Sequence, residues 1–335
     1  MITLGIETSC DETGAAIIDN SKCLSNVVTS SVHLHSKYGG VIPEIASRYH
    51  VEYINEVVRE SLDKAQKTLE DIELISVTYG PGLCGALLTG ISYAKALGYG
   101  LSKPVLGVNH LNAHLYSNFL DREGQAKPCF PFIGLIISGG HTSIVLCNEV
   151  DNFEILGQTQ DDAVGEAFDK VAKILGLGYP GGPIIEKKAK EFSGLDSIDF
   201  PRSYLSKDSL DFSFSGIKTS VLYYCKEKKI TDDLVYNVAY SFQEAVFDVI
   251  VRKVVLACKQ KGVNTICVGG GVSANKRFHE KLLKICDFLA IKIFIPEFKF
   301  CLDNGAMIAA LGEILYDKGH RSDVYFSAVP GLSIG

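Results

Sequence analysis

The sequence predicts an α/β fold in which one structural unit occurs twice. Strand-like and helix-like segments alternate along the 335 residues, and at about 150 residues per domain this length favours two domains. Two pairs of stretches match internally. Residues 5–13 match residues 134–142, each a strand and a hydroxyl-containing turn, and residues 75–82 match residues 266–273, each a strand, a glycine-rich turn and the start of a helix. A duplicated unit explains both matches.

The two copies differ in length, because the second pair of matching stretches lies further apart in the chain than the first. This predicts a helical insertion in the second copy, at about residues 160–229. A polar stretch with glycine and prolines, residues 121–131, predicts the break between the copies. We therefore expect a first domain over residues 1–128 and a second over residues 129–335. Two related domains that face each other leave an interdomain cleft, where ligands usually bind.

The composition is that of an ordinary globular protein. With 47% hydrophobic and 21% charged residues it excludes a disordered chain, and the net charge of −6 gives no broad basic face, although a local basic groove stays compatible with it. Ten cysteines without a C-x-x-C pair exclude a zinc knuckle and a redox dithiol. Charged residues stand where a signal peptide would be apolar, and no apolar run reaches the ~18 residues that span a bilayer. We expect a cytoplasmic protein that is not in a membrane.

Two hairpin turns carry polar residues that suit anion binding. In the first copy a strand at residues 2–6 leads into the turn 8–14 and a second strand at 15–19, and in the second copy the turn is residues 138–142. Such turns direct backbone N–H groups and hydroxyls at one point, where a phosphate or carboxylate can bind. One turn alone is more often an ordinary β-hairpin that needs glycine. Two turns at matched positions favour a nucleotide site and resemble the superfamily of actin, sugar kinases and heat-shock chaperone ATPases.

Another glycine-rich turn follows a later strand. Gly269, Gly270 and Gly271 separate this strand from a helix, so that the backbone can approach an anion at the positive end of the helix. The spacing is neither that of a Walker A loop nor that of a Rossmann turn. Asn275 either hydrogen-bonds a ribose or base, or caps the helix.

Two histidines at helical spacing form a candidate metal site. His110 and His114 share one helical face, as two imidazole ligands require, and the alternative is an exposed helix with two ordinary histidines. Leu111 stands where a zinc protease has its glutamate base, which disfavours a metalloprotease. Asp303, just before an apolar helix, is either the third ligand or an N-cap. A His₂Asp set leaves coordination positions open, as a catalytic metal requires.

The predicted insertion contains one more candidate residue. Residues 161–175 have an apolar helical stripe, and Asp169 on this helix forms an i,i+4 pair with Lys173 in the simplest interpretation. Ser215 is expected to cap a later helix. Lysines cluster in the second half of the chain, where a solvated face is their ordinary meaning, and they permit contact with RNA.

Taken together and in this order, the motifs closely resemble the TsaD family, the tRNA threonylcarbamoyladenosine transferases once described as glycoproteases. The resemblance extends over about residues 2–315. It is carried by G-I-E-T-S-C-D-E-T at 5–13, H-x₃-H at 110–114, S-G-G-H-T at 138–142, G-E-A-F-D-K at 165–170, F-S-F-S-G-I-K-T at 212–219, G-G-G-V-S-A-N at 269–275 and D-N-G-A-M at 303–307.

This resemblance implies a duplicated actin-like fold with one divalent metal ion, Fe²⁺ in preference to Zn²⁺, held by His110, His114 and Asp303. It implies that the second domain binds an adenylate substrate. The residues implied in that binding are Ile136, Ile137, Ser138, Gly139, Gly140, Asp169, Gly182 and Asn275. Glu186 stands where some bacterial members have aspartate, and is a further candidate contact.

The reaction implied is transfer of a threonylcarbamoyl group from threonylcarbamoyl-adenylate to the N6 amine of the adenosine beside the anticodon, in tRNAs that read codons beginning with A. AMP leaves, and we expect Asp11, in preference to Glu12, to accept a proton. The implied partners are tRNA, a shorter paralogue of the same fold (TsaB-like) and a P-loop ATPase (TsaE-like). The alternatives are an actin-fold kinase or ATPase that acts on a small metabolite, which leaves the histidine pair unexplained, and a binding relative without catalysis.

Overall fold

The computed structural model describes residues 1–122 and 124–334. The chain forms two compact units, each with its own sheet. Unit 1 consists of Met1–Pro128, Val150–Asn152 and Pro296–Gly335, and unit 2 consists of Cys129–Glu149 and Phe153–Ile295. Glu123 and Gly335, which fall inside the expected domain ranges, lie outside the described residues.

Unit 1 is built on a five-stranded mixed sheet with the order β3-β2-β1-β4-β5. The central strand β1 pairs antiparallel with β2 and parallel with β4. The strands are β1 (Ile2–Glu7), β2 (Glu12–Asp19), β3 (Lys22–Ser30), β4 (Leu74–Gly80) and β5 (Val105–Asn109). A turn joins β1 to β2 as expected, but it is residues 8–11 and not 8–14, because β2 already begins at Glu12.

Helices pack on both faces of this sheet, so that its central strands are buried on both sides. The helices of unit 1 are α1 (Val32–His35), α2 (Pro43–Ala65), α3 (Cys84–Leu101), α4 (His110–Tyr116) and, near the end of the chain, α10 (Gly305–Asp317). Side chains such as Ile54 and Leu87, from α2 and α3, form one core with β1, and Ala306 and Ala309 of α10 form another with β2. Burial on both faces explains why β1 and β2 read as apolar runs without strict alternation.

Unit 2 repeats the strand order of unit 1 as β8-β7-β6-β9-β10. Its central strand β6 pairs antiparallel with β7 and parallel with β9. The strands are β6 (Phe132–Ile137), β7 (Thr142–Glu149), β8 (Asn152–Gln158), β9 (Thr265–Gly269) and β10 (Lys292–Phe294). Strands β6 and β9 thus occupy the positions of β1 and β4, as the two internal matches in the sequence predict.

The helices of unit 2 surround an aromatic core. They are α5 (Val164–Ile174), α6 (Gly181–Lys190), α7 (Ser215–Cys225), α8 (Asp232–Lys261) and α9 (Lys276–Leu289). Phe168, Phe242, Phe247 and Phe278 pack against one another, with ring centroids 4.9 to 5.7 Å apart. Between β8 and β9 the chain forms α5, α6 and α7 before the long helix α8, and these three helices lie within the expected insertion at about residues 160–229.

The last part of the chain differs from the sequence expectation. We expected residues 129–335 to form the second domain, but Pro296–Gly335 belongs to unit 1. The physical reason is that α10 packs directly on β1, β2 and β4 of the first sheet. In the part of the chain that the structure describes, no helix is both long and apolar enough to cross a membrane.

Close packing of α10 on β1 depends on small residues. A Cβ at Gly5 would meet backbone O of Gly305 and would lie 2.6 Å from backbone N of Ala309. We predict that Gly5→Ala lowers the free energy of unfolding by about 3 kcal/mol, because backbone atoms cannot move aside as a side chain can. The measurement is urea unfolding followed by circular dichroism.

The matched control is Gly100→Ala, in the last turn of α3, where a Cβ meets nothing within 4 Å. This change removes a flexible glycine from a helix and is expected to stabilise the protein by about 0.5–1 kcal/mol. Equal unfolding midpoints for the two variants would contradict the close approach.

Candidate metal centre and substrate-binding loops

The two histidines of the H-x₃-H motif lie on a short buried helix. Strand β5 runs directly into α4, and the Asn109 side chain caps this helix by accepting hydrogen bonds from the backbone N–H groups of Leu111 (2.9 Å) and Asn112 (3.2 Å). His110 is the first residue of the helix and His114 follows one turn later, so both imidazoles leave the same face. All seven residues of α4 are buried, which excludes the alternative of an exposed helix.

Asp303 reaches these histidines from the turn before α10. Its Oδ1 lies 3.6 Å from Nε2 of His110 and 3.2 Å from Nε2 of His114. The ligand atoms of the three residues all lie within 4.8 Å of one another. The N-cap of α10 is Asn304, whose side chain accepts from the backbone N–H of Met307 (3.0 Å). The alternative interpretation of Asp303, as the N-cap of this helix, is therefore wrong, because its neighbour Asn304 is the cap.

The three residues fit a divalent cation. Metal bonds of about 2.0–2.2 Å place neighbouring ligand atoms roughly 3–3.5 Å apart, which is close to the separations of Asp303 Oδ1 from the two imidazole nitrogens. Among the described residues, neither ring nitrogen of the buried His114 has a partner in hydrogen-bond geometry. Buried polar atoms without such a partner are rare. Coordination of a metal ion would satisfy one of the two His114 ring nitrogens. Three protein ligands leave further coordination positions for a substrate.

Glu7 orients His110, a role that was not expected from the sequence. Its carboxylate is fully buried at the end of β1, where it accepts hydrogen bonds from Thr78 Oγ1 (2.5 Å) and the backbone N–H of Ser9 (2.6 Å) and lies 3.1 Å from Nδ1 of His110. A carboxylate on the second ring nitrogen fixes the orientation of a metal-binding imidazole and raises its basicity. The signal in the sequence was an acidic residue at the end of an apolar strand.

The buried charges of this centre shift the pKa values of its histidines in opposite directions. Burial acts to lower the pKa of His110, but Glu7 and Asp303 outweigh it and raise that pKa to about 9. Burial lowers the pKa of His114, which is therefore neutral at pH 7 and ready to bind a cation. Burial acts to raise the pKa of Glu7, but His110 has the larger combined effect and lowers it, so Glu7 is ionised.

Asp11 is the last residue of the turn between β1 and β2, and Glu12, the first residue of β2, is close enough to Asp303 for that carboxylate to act on its pKa. Asp11 is buried, and its backbone carbonyl accepts from both the N–H (2.9 Å) and the hydroxyl (3.0 Å) of Ser31. Burial, Asp303 and Asp11 raise the pKa of Glu12 well above its usual value. One carboxyl that favours its protonated form thus stands beside another acidic residue.

In unit 2 the residues expected to bind the adenylate gather at the carboxyl ends of β6 and β9. Ile136 and Ile137 end β6 with buried side chains, so only their backbone is available to a ligand. In the turn that follows, Ser138 is bonded to His141, and Gly139 and Gly140 are exposed, with open space around both. Open α/β sheets bind ligands at this edge.

Asp169, Gly182 and Glu186 lie on two helices that contact each other. The Asp169 carboxylate on α5 accepts from the backbone N–H of Gly181 (2.6 Å), the first residue of α6. Gly182 follows in the first turn of α6 beside open space. Glu186, one turn further on, accepts from Lys190 Nζ (2.7 Å) and from the backbone N–H of Lys276 (3.3 Å). Its carboxylate is therefore already engaged by protein groups.

Asn275 caps helix α9, which is one of the two roles expected from the sequence. Its Oδ1 accepts from the backbone N–H of Phe278 (3.1 Å) as N-cap of α9, and its Nδ2 donates to Gln243 Oε1 (2.9 Å). The expectation that Ser215 caps α7 was wrong. Ser215 is the first residue of that helix, and Asp161 accepts from its backbone N–H (3.3 Å) and from that of Phe214 (2.8 Å).

Comparison with known proteins identifies the family. The sequence profile of TsaD, described as tRNA N6-adenosine threonylcarbamoyltransferase, matches residues 22–310. The chain belongs to the TsaD family. A TsaD relative from Clostridium botulinum, named tRNA N6-adenosine threonylcarbamoyltransferase, is 49% identical over 335 residues, covering 99% of this chain and 97% of its own length. The resemblance found in the motifs is therefore confirmed over nearly the whole chain.

Solved structures support the TsaD fold at low sequence identity. Full-length HypF, in a phosphate- and nucleotide-bound form, superposes with a TM-score of 0.63 at 14% identity and covers 96% of this chain, which spans 56% of HypF. The activator of 2-hydroxyisocaproyl-CoA dehydratase from Clostridium difficile, with bound ADPNP, gives 0.52 at 16% identity, over 96% of this chain and 100% of its own. These likenesses concern the fold, and they confirm the duplicated actin-like architecture.

We predict that the affinity of the TsaD centre for Zn²⁺ rises with pH. In the metal-free protein His110, with a pKa of about 9, carries a proton that a cation has to displace. The dissociation constant should fall by about tenfold per pH unit between roughly pH 7 and pH 9 and level off above. Competition with a chelating dye measures it. His110→Ala should lose both the binding and its pH dependence, and a flat profile for the parent chain would contradict the ligand assignment.

Proposed function

We propose that this chain transfers a threonylcarbamoyl group from threonylcarbamoyl-adenylate to the N6 amine of the adenosine beside the anticodon, in tRNAs that read codons beginning with A. The observation that carries the proposal is the convergence of His110, His114 and Asp303, in a chain of the TsaD family. The family resemblance implies these three residues as the metal ligands. They come together from distant parts of the sequence.

We propose that these three residues hold one divalent cation, and that it is Fe²⁺ in preference to Zn²⁺, because two histidines and one carboxylate with open positions are the usual donor set of non-haem iron. When bound, such a cation acts as a Lewis acid that polarises phosphoryl or carbonyl oxygen. Glu7 keeps the His110 imidazole in place by its contact with Nδ1 (3.1 Å). Because Nδ1 faces Glu7, Nε2 of His110 is the nitrogen left to bind the cation.

For the adenylate, we propose binding by the turn after β6 and by the helices α5, α6 and α9. The exposed backbone of Gly139 and Gly140 suits a phosphate, because backbone N–H groups in a glycine turn can all point at one anion. Asp169 holds the first turn of α6 by its bond to Gly181 N–H (2.6 Å), which keeps Gly182 at the site. Glu186 ties α6 to the backbone of Lys276, and Asn275 caps the adjoining helix.

In the transfer step, the N6 amine of the adenosine attacks the carbamoyl carbon and a new N–C bond forms. The bond between that carbon and the phosphate oxygen breaks, and AMP leaves with the electron pair. The amine loses one proton, and we propose Asp11 as its acceptor, because it is a buried carboxylate on the turn next to the metal ligands. No covalent enzyme intermediate is required.

We further propose that the chain acts in the cytoplasm with a shorter paralogue of the same fold and a P-loop ATPase. The substrate tRNA follows from the family, whose description names a tRNA adenosine. An actin-fold kinase is not favoured, because it gives no use for the three converging ligands. Steady ATP consumption driven by a small metabolite without tRNA would support that alternative.

We predict that Asp169→Ala weakens binding of AMP, the product that contains the adenylate moiety, by about tenfold or more, because the first turn of α6 loses its anchor. Isothermal titration calorimetry measures the affinity. Glu166→Ala is the matched control, since Glu166 lies on the same helix and pairs with Lys170 (2.8 Å) at the surface. If both variants bind AMP with equal affinity, Asp169 has only a structural role and the proposed binding role is contradicted.

The proposed reaction is tested by reconstitution. We predict that the chain, given threonylcarbamoyl-adenylate, unmodified tRNA and the two partner proteins, forms the modified adenosine, which mass spectrometry of the digested tRNA detects. His110→Ala should abolish the product, and Asp11→Asn should slow its formation by about 100-fold or more if the carboxylate is the proton acceptor. A tRNA that reads codons with another first base is the negative control. Only unmodified nucleoside with the parent chain would count against the proposed function.

A further inference from the structure

A C-terminal strap, residues 322–334, contacts the carboxyl-terminal parts of β4 and β5, and β5 leads directly into helix α4 with the two histidines. It is attached to unit 1 by backbone and side-chain hydrogen bonds at successive points. Gly107 N–H donates to Ser322 Oγ (2.9 Å), Val329 N–H donates to Tyr79 O (2.8 Å), Gly82 N–H donates to Pro330 O (3.1 Å), and Asn109 Nδ2 donates to Ser333 O (2.7 Å). Phe326 of the strap also packs edge-on against Tyr79. The strap is therefore an ordered part of this unit.

The last of these bonds joins the strap to the N-cap of α4. Asn109 uses both ends of its amide: Oδ1 accepts from the backbone N–H groups of Leu111 and Asn112, and Nδ2 donates to Ser333 O. If the amide turned over, its NH₂ group would face two N–H donors, and its oxygen would face a carbonyl. The Ser333 carbonyl therefore fixes the orientation in which Asn109 can cap the helix.

The cap matters here because the helix is short and a ligand stands at its first position. Helix α4 has seven residues, too few for a helix to be stable by itself in water. His110 directly follows the cap, so any fraying of the first turn moves its imidazole away from Asp303. His114, one turn later, depends on the same turn for its relation to His110.

We propose that the C-terminal strap is a positioning element of the metal centre, and that it acts through the Ser333 carbonyl and Asn109. It holds the first turn of α4 so that the two imidazoles and Asp303 meet at one point. This inference rests on the proposed metal site, and it assigns to residues remote from the ligands a part in metal affinity.

Two shortened chains test the proposal, with Zn²⁺ as the probe. A chain that ends after Leu332 lacks the Ser333 acceptor, whereas one that ends after Ser333 keeps it and lacks Ile334 equally. We expect the first to bind Zn²⁺ about 10- to 100-fold more weakly than the second, the range found when an outer-shell partner of a ligand is lost. The visible spectrum of bound Co²⁺, which reports the ligand geometry, should change only in the chain that ends after Leu332.

A double-mutant cycle separates this role from general stability. Asn109→Ala removes both the helix cap and the bond to the strap, so the strap has nothing left to act through in this variant. It should weaken Zn²⁺ binding at least as much as the loss of Ser333 does, and both changes together should cost no more than Asn109→Ala alone. Additive losses, or equal affinities for the two shortened chains, would overturn the proposal. If the parent chain binds Zn²⁺ no better than His110→Ala, the metal site itself fails, which is a different result.

Discussion

The close approach of α10 to the first sheet is the constraint on which the metal centre depends. Two of the proposed ligands come from one helix, but the third, Asp303, comes from the other end of the sequence and reaches them only because α10 lies directly on β1 and β2. Glycine is required at this contact on both sides: a Cβ at Gly305 would lie 2.6 Å from the backbone N of Ala16, and one at Gly14 would lie 2.9 Å from Gly305 N. Side chains here would push Asp303 away from the histidines.

The second constraint is electrostatic. Glu7 and Asp303 place two carboxyl groups beside the buried imidazoles, and Asp303 acts on the Glu12 carboxyl as well. Burial of like charges is costly unless a cation compensates them. Without a metal, the protein meets this cost by raising the pKa of His110 and of Glu12. A bound divalent cation would replace protons as the compensating charge. The shifts therefore describe a site whose ionised groups are arranged for a cation.

Local pattern was enough to predict part of this structure. The duplicated strand order follows from matching strands and turns, and the histidine pair follows from its spacing, because both are properties of short stretches. The position of residues 296–335 could not be predicted in this way. Small residues such as Gly305 and Ala309 indicate close packing, but they do not name the sheet that the helix covers. Glu7 was visible as a charge at the end of an apolar strand, yet its partner His110 is distant in sequence and is set by the fold.

Because Pro296–Gly335 returns to unit 1, this unit is discontinuous, and the order of its synthesis has a consequence. The ribosome produces the first 128 residues, then nearly all of unit 2, and only then Asp303, the third proposed ligand, and the helix that covers the first sheet. Until α10 has been synthesised, one apolar face of the unit 1 sheet stays exposed. Exposed apolar surface favours aggregation or binding by a chaperone. A ribosome that stalls before residue 303 leaves a nascent chain with only two of the three proposed ligands.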